Sequence, residues 1–118
     1  MQNVLVVDGN ADAREMLATM LKTAGYDVAL VADGQEGYDR FAELKPAVVL
    51  ADIFMPGMDG IAMIREIRRA FPDARIIAMS AGWNVPNLQV SGRVIAKPLD
   101  RETVTSAVAA ILAGSTRG

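Results

Sequence analysis

Apolar residues in this chain form short continuous runs that alternate with longer stretches of helical period. VLVV (4–7), AVVLA (47–51) and RIIAM (75–79) have the length and composition of strands that are covered on both faces. DVALV (27–31) is a further predicted strand, and RVIA (93–96) is a shorter one than RIIAM. The pattern therefore predicts five strands, with the first over residues 3–7.

Between the strands, apolar residues recur every three or four positions, which is the period of an amphipathic helix. Helices are predicted at 11–24, 34–44, 61–71 and 104–112. Asn10 is a predicted N-cap and Gly25 a predicted stop for the first helix, and Pro46 closes the second. The predicted buried faces contain Ala13, Met16, Leu17, Met20, Leu21 and Ala24; Tyr38, Phe41 and Leu44; Ile61, Ile64, Ile67 and Phe71; and Val104, Val108, Ile111 and Leu112.

Strands that alternate with helices predict an α/β fold with a parallel sheet between two helical layers. Length and element count favour the flavodoxin-like strand order 2-1-3-4-5, with one domain over residues 1–118. Gly82, Asn84, Pro86 and Gly92 disfavour a long helix between the fourth and fifth strands. The fourth helix usual in such a fold is therefore expected to be short or irregular.

Composition excludes several kinds of chemistry. The chain has no cysteine and no histidine, so disulfides, thiolate or imidazole metal sites and histidine-based catalysis are excluded. Its net charge of −2 gives no electrostatic footprint for direct nucleic-acid binding. No apolar run reaches the length of a membrane span and no signal peptide is recognisable, so a cytoplasmic location is expected.

Four polar residues fall at or just after predicted strand ends: Asp8, Asp52, Ser80 and Lys97. In an open parallel sheet these ends share one edge, where ligands bind. Lys97 precedes Pro98, which keeps its backbone extended. The set brings two carboxylates, a hydroxyl and a cation to one crevice.

Each of these residues also has a purely structural interpretation. Asp8-Gly9 resembles a hairpin turn, but the helical spacing that follows argues against a hairpin. Asp8 can instead cap the first helix, Asp52 can be a solvated turn residue beside Pro56-Gly57, and Ser80 can cap a helix.

VLVVD (4–8), VVLADIFMPGMDG (48–60), IIAMSA (76–81) and KP (97–98) together resemble a response-regulator receiver domain of the CheY-like type. The resemblance spans nearly the whole chain. It implies that Asp52 is the phosphoacceptor, Lys97 the phosphoryl contact and Ser80 the switch hydroxyl. It also implies a Mg²⁺ site formed by Asp8, Asp52 and the Phe54 carbonyl.

The same resemblance implies a sensor histidine kinase or a phosphotransfer protein as phosphodonor, and an unidentified downstream protein. The chain would act as a signalling switch rather than as an enzyme, although it would assist its own phosphoryl transfer and slow dephosphorylation. The last helix and the segment 82–92 offer surfaces for a homodimer.

The sequence departs from the family pattern in two places, one beside the proposed metal site and one near the fifth strand. Gly9 replaces the second residue of the usual acidic pair, and the neutral Asn10 follows it, so weaker Mg²⁺ binding is expected. Val94 stands where receivers often carry an aromatic residue. Trp83 is then either a partner contact or a filler for the space of the missing helix.

The departures keep a second function open, that of a phosphorylation-independent pseudo-receiver that acts as an interaction module. An aspartyl-phosphate hydrolase of haloacid-dehalogenase type would carry a second Asp at the position of Phe54. Glycine-rich nucleotide-binding motifs are absent from the sequence.

Overall fold

Five parallel strands form one sheet in the computed structural model, which describes residues 2–53, 60–80, 93–96 and 100–113. The strands are β1 (Asn3–Val7), β2 (Asp27–Val31), β3 (Val48–Asp52), β4 (Ile76–Ser80) and β5 (Arg93–Ala96). Their order is β2-β1-β3-β4-β5. This confirms the predicted flavodoxin-like arrangement.

The described helices are α1 (Ala11–Thr23), α2 (Gly34–Leu44), α3 (Gly60–Ala70) and α4 (Arg101–Leu112). Asn10 caps α1 as predicted, since its side chain accepts a hydrogen bond from the Ala13 N–H. The chain leaves α1 through Gly25, whose φ of 101° favours glycine. Lys45 ends α2 in the left-handed region, directly before Pro46.

The sheet is covered on both faces, which explains the unbroken apolar runs in β1 and β3. On one face Phe41 of α2 and Ile64 and Ile67 of α3 pack against Leu5 and Val49. On the other face Leu17 and Leu21 of α1 and Val104 and Val108 of α4 pack against the alternate strand residues, among them Val4, Val6 and Leu50. Successive side chains of each central strand thus belong to different cores, one on each face of the sheet. Each central strand is therefore held by packing on both of its faces.

Predicted and observed boundaries differ at several elements. β3 and β4 each begin and end one residue later than predicted, and α3 begins and ends one residue earlier. α4 begins at Arg101 rather than at 104 because the Asp100 side chain accepts the Thr103 N–H at 2.7 Å and caps the helix. That hydrogen bond lowers the pKa of the Asp100 carboxyl below its ordinary value.

Two residues of the predicted α1 core face were wrongly placed. The Met16 side chain is 41% exposed and Ala24 is also exposed, whereas Ala18 is buried. The buried strip of α1 is narrower than the apolar pattern and is centred on Leu17 and Leu21.

The predicted short or irregular fourth helix and Trp83 lie outside the described residues. Val94 belongs to β5, but its side chain is not described. None of the helices in the described part of the chain is long and apolar enough to cross a membrane.

Candidate functional site

Asp8 directly follows β1 and is fully buried. Its N–H donates to the Val31 carbonyl at 3.2 Å, which continues the β1–β2 ladder by one residue. Its carboxylate Oδ1 accepts the Asn10 N–H at 2.9 Å, so the side chain turns back towards the start of α1. Asn10, and not Asp8, caps α1, and the helix-cap interpretation of Asp8 is wrong.

Asp52 is the last residue of β3 and only 9% of it is exposed. The interpretation as a solvated turn residue is therefore wrong. Val7 is the register partner of Ala51, so Asp8 and Asp52 are the next residues on two adjacent parallel strands. Neighbouring strands lie about 4.8 Å apart, which brings the two carboxylate-bearing residues to the same point of the sheet edge.

Ser80 lies at the same edge by strand register, and the chain reaches Lys97 directly after the last residue of β5. Ser80 is the last residue of β4 and pairs with Ala96, the last residue of β5, and Lys97 follows Ala96. The Ile53 N–H donates to the Met79 carbonyl at 3.1 Å, which keeps β3 and β4 together up to their ends. The Ser80 side chain, Lys97 and Phe54 lie outside the description, so their predicted roles stay predictions.

Arg14 is a residue of this site that the sequence pattern did not indicate. It lies on the first turn of α1, is half-buried, and its Nη1 donates a hydrogen bond of 2.7 Å to the Asp8 carbonyl oxygen. Its main-chain N–H donates to the Asn10 carbonyl. Arg14 thereby ties the end of β1 to the start of α1.

Gly60 is a second residue that the pattern did not single out. A Cβ at this position would overlap the Asp52 carbonyl oxygen and come within 2.5 Å of Ile53 Cα. The first residue of α3 therefore packs directly on the main chain of the Asp52 segment. The glycine that ends the motif VVLADIFMPGMDG was the available signal, since glycine is favoured where two main-chain segments approach closely.

A divalent cation is implied by the family that the sequence resembles, and the donor set of the site is compatible with it. Mg²⁺ prefers oxygen ligands and is typically held by one or two carboxylates together with waters and phosphate. Asp8 and Asp52 provide two buried carboxylates at one sheet edge. Within the described ranges no group of three His, Cys, Asp or Glu side chains is placed to hold a metal. A third protein ligand would therefore be a main-chain carbonyl or a residue outside these ranges.

Comparison with known proteins places this site in a family. Residues 4–109 match the response regulator receiver domain family. Over 81 residues the chain is 46% identical to the chemotaxis protein CheY of Thermotoga maritima, a match that covers 68% of each protein. Over 67 residues it is 42% identical to the DNA-binding response regulator MtrA of Mycobacterium leprae, covering 57% of this chain but only 30% of MtrA.

Solved structures with the same fold include CheY of Borrelia burgdorferi in a CheX-CheY-BeF3-Mg complex. The TM-score is 0.87 at 30% identity, over 93% of this chain and 88% of that one. A LuxR-family two-component response regulator from Aurantimonas has a TM-score of 0.86 at 29% identity, over 97% of this chain and 86% of that one. The chain therefore belongs to the response regulator receiver domain family, and it is a receiver domain of two-component signalling.

Proposed function

We propose that residues 1–118 form one receiver domain that accepts a phosphoryl group on Asp52 and changes its protein contacts in response. The observation that carries the proposal is the pairing of Asp52 with Asp8 as buried carboxylates at the ends of adjacent strands. A carboxylate held in this way is positioned on a rigid sheet and is shielded from most of the solvent. Positioning of this kind accounts for much of the catalysis of phosphoryl transfer.

In the proposed reaction an Asp52 carboxylate oxygen attacks the phosphorus of a phosphohistidine on the donor protein. The O–P bond of an acyl phosphate forms, the P–N bond breaks, and the leaving imidazole nitrogen takes up a proton. Nucleophile and phosphoryl group are both anionic, so the site has to provide positive charge. Lys97 is the proposed cationic contact, and the Ser80 hydroxyl is the proposed group that reports phosphorylation to the rest of the domain.

Asp8, Asp52 and the Phe54 carbonyl are the proposed Mg²⁺ ligands. When bound there, Mg²⁺ would neutralise charge on the phosphoryl oxygens. Asp8 is well suited to this role because the Asn10 N–H occupies one side of its Oδ1 and fixes the orientation of the carboxylate. The donor set carries one carboxylate fewer than is usual in receivers, because Gly9 replaces an acid.

The decisive experiment is intact-mass spectrometry after incubation with acetyl phosphate and Mg²⁺. We expect wild type to gain the mass of one phosphoryl group, and Asp52→Asn to gain none. Asp39→Asn is a matched control, since Asp39 is an exposed carboxylate on α2. Phosphorylation of wild type and Asp52→Asn to the same extent would contradict the assignment of the acceptor.

The absence of added phosphate on wild type, under conditions that modify a known receiver, would favour the pseudo-receiver interpretation. Gly9 favours this second function, because receivers usually carry at this position an acidic residue whose negative charge contributes to metal binding. Gly9→Asp separates the two cases. A receiver with a weakened metal site should gain Mg²⁺ affinity and phosphorylation rate from this change, and equal Mg²⁺ affinity of wild type and Gly9→Asp would refute the proposed effect of Gly9.

For the partners, we propose a sensor histidine kinase or phosphotransfer protein as donor and a protein as the downstream target. A cytoplasmic location is part of the same proposal, since phosphohistidine donors are formed where ATP is available. Direct phosphotransfer from purified candidate kinases, followed by loss of label in Asp52→Asn, tests the donor.

A further inference from the structure

Arg14 is a half-buried cation whose charge is not matched by a contacting carboxylate among the described residues. Its guanidinium donates to a neutral acceptor, the Asp8 main-chain carbonyl, at 2.7 Å. The two ion pairs found in the described ranges join Arg40 to Glu43 and Arg69 to Glu66. A positive charge is thereby held next to the residue that we propose as a metal ligand.

We propose that Arg14 lowers the affinity of the Asp8 and Asp52 site for divalent cations, and thus sets the Mg²⁺ concentration at which the domain becomes competent for phosphorylation. This inference rests on the proposed function. The cation and the metal ion would contact different groups of Asp8. Arg14 holds its carbonyl oxygen, and the metal would bind its carboxylate.

The distance between the two charges follows from covalent geometry. Standard bond lengths keep the carboxylate of a residue within about 5 Å of its own carbonyl oxygen. The 2.7 Å hydrogen bond then keeps the guanidinium within about 8 Å of that carboxylate. A Mg²⁺ ion would lie about 2 Å beyond the carboxylate oxygen, so the two positive charges would be within about 10 Å of each other. For a single and a double positive charge about 10 Å apart, even the dielectric constant of bulk water corresponds to roughly a fourfold loss of affinity.

The opposite effect, a loss of metal affinity when the Arg14 hydrogen bond is removed, is expected to be smaller. Asp8 is also held by the bond from its N–H to the Val31 carbonyl and by the bond from the Asn10 N–H to its carboxylate. Asn10 is itself fixed as the N-cap of α1. Without Arg14 the Asp8 side chain therefore keeps its orientation, and the change in charge decides the sign.

The test is the Mg²⁺ dissociation constant of the full chain, measured by isothermal titration calorimetry without phosphodonor. Arg14→Gln and Arg14→Met remove the charge, with and without a polar group, and Arg14→Lys keeps it. Lys22→Gln is the matched control, because Lys22 is exposed on the last turn of the same helix, about 12 Å further along its axis.

We expect Arg14→Gln and Arg14→Met to bind Mg²⁺ about fourfold more tightly at low ionic strength, and less than about twofold more tightly in 0.15 M salt, where screening is stronger. Arg14→Lys and Lys22→Gln should stay within twofold of wild type. A salt-dependent gain confined to the two uncharged Arg14 variants supports a local charge effect.

Unchanged or weaker binding in Arg14→Gln and Arg14→Met would overturn the inference and leave Arg14 a structural residue. An equal gain in Lys22→Gln would also overturn it, since net charge would then be the cause. No heat of Mg²⁺ binding by wild type, Gly9→Asp or any Arg14 variant would instead refute the metal site of the proposed function. The failure of the inference and the failure of the proposed function are thus distinguished.

Discussion

Gly60→Ala tests how the start of α3 holds the proposed phosphoacceptor. The added Cβ would overlap the Asp52 carbonyl oxygen and lie 2.5 Å from Ile53 Cα and 2.7 Å from the Asp52 carbonyl carbon. All three of these neighbours are main-chain atoms, so no side-chain rotation relieves the overlap. Either α3 or the end of β3 has to move.

The size of the effect follows from the distances. Ordinary contacts of a Cβ begin at 3.4 Å, so the separation from Ile53 Cα has to grow by about 0.9 Å and that from the Asp52 carbonyl oxygen by more. Overpacking of this kind typically costs about 1–3 kcal/mol, and the better helix propensity of alanine offsets at most about 1 kcal/mol. We therefore expect a net loss of about 1–2 kcal/mol in the free energy of unfolding.

Gly37→Ala is the matched control, since it adds the same methyl group in the interior of α2. There the Cβ would meet the Met63 sulfur at 2.5 Å and Val7 Cγ2 at 3.1 Å, both side-chain atoms. The Met63 side chain is unbranched and flexible, the Val7 methyl groups have to move by only a few tenths of an ångström, and the helix gains propensity. The change in unfolding free energy should therefore be smaller than in Gly60→Ala, within about 1 kcal/mol.

Urea denaturation compares the two variants, and the rate of modification by acetyl phosphate reports the position of Asp52. A displacement near 1 Å at a reacting group can slow a reaction by up to about 100-fold. We expect Gly60→Ala to be phosphorylated at least about tenfold more slowly than Gly37→Ala. If Gly60→Ala were as stable as Gly37→Ala and equally reactive, the packing of α3 on the Asp52 segment would not position the acceptor.

Three further predictions concern stability and can be checked by urea unfolding. Asn10→Ala should lower the free energy of unfolding by about 1 kcal/mol, because the Ala13 N–H loses its acceptor. Asn10→Asp should retain most of this N-cap stabilisation, because an aspartate side chain can accept the same hydrogen bond. Leu17→Ala should cost about 2–5 kcal/mol and Met16→Ala less than about 1 kcal/mol, since Leu17 is fully buried and Met16 is 41% exposed. The lowered pKa of Asp100 means that its charged form stabilises the fold. This stabilisation is complete above the ordinary carboxyl pKa of 3.8 and is lost as the pH falls below that value. The stability advantage of wild type over Asp100→Ala should therefore shrink on acidification.

The order and the approximate limits of the strands could be predicted because strands that are buried on both faces have continuous runs of apolar residues. β1 and β3 contain apolar residues at consecutive positions, and few other structures require such a run. Once five strands alternate with helices, the crossover rule brings their carboxyl ends to one edge. Asp8 and Asp52 were therefore identifiable from sequence as neighbours.

Arg14 and Gly60 could not be found in the same way, because their roles depend on short distances that sequence period does not encode. The contact of Arg14 with the Asp8 carbonyl depends on the path of residues 8–10, which is set by the Asn10 cap. The approach of Gly60 to Asp52 depends on how α3 is seated on the sheet. Met16 was wrongly predicted to be buried for a related reason. The helical period of the apolar residues gives the direction of the buried face of α1 but not the width of that face.

The α4 boundary, in contrast, was recoverable from sequence. Asp100 stands three residues before Thr103 and four before the first buried residue of the helix, Val104. This is the spacing of an N-cap. The apolar period alone locates the buried part of a helix and omits the polar first turn.

The burial of Asp8 and Asp52 also connects the stability of this domain to the cation that it is proposed to bind. Folding removes both carboxylates from water at adjacent positions, so part of their hydration has to be replaced by contacts with donors or cations. A cation that binds only the folded site stabilises it by mass action, by about 1.4 kcal/mol at ten times its dissociation constant. The stabilisation by Mg²⁺ at a fixed concentration should therefore increase in Gly9→Asp and in Arg14→Gln and disappear in Asp8→Ala. Metal affinity can then be ranked from unfolding curves alone, without any phosphodonor or partner protein.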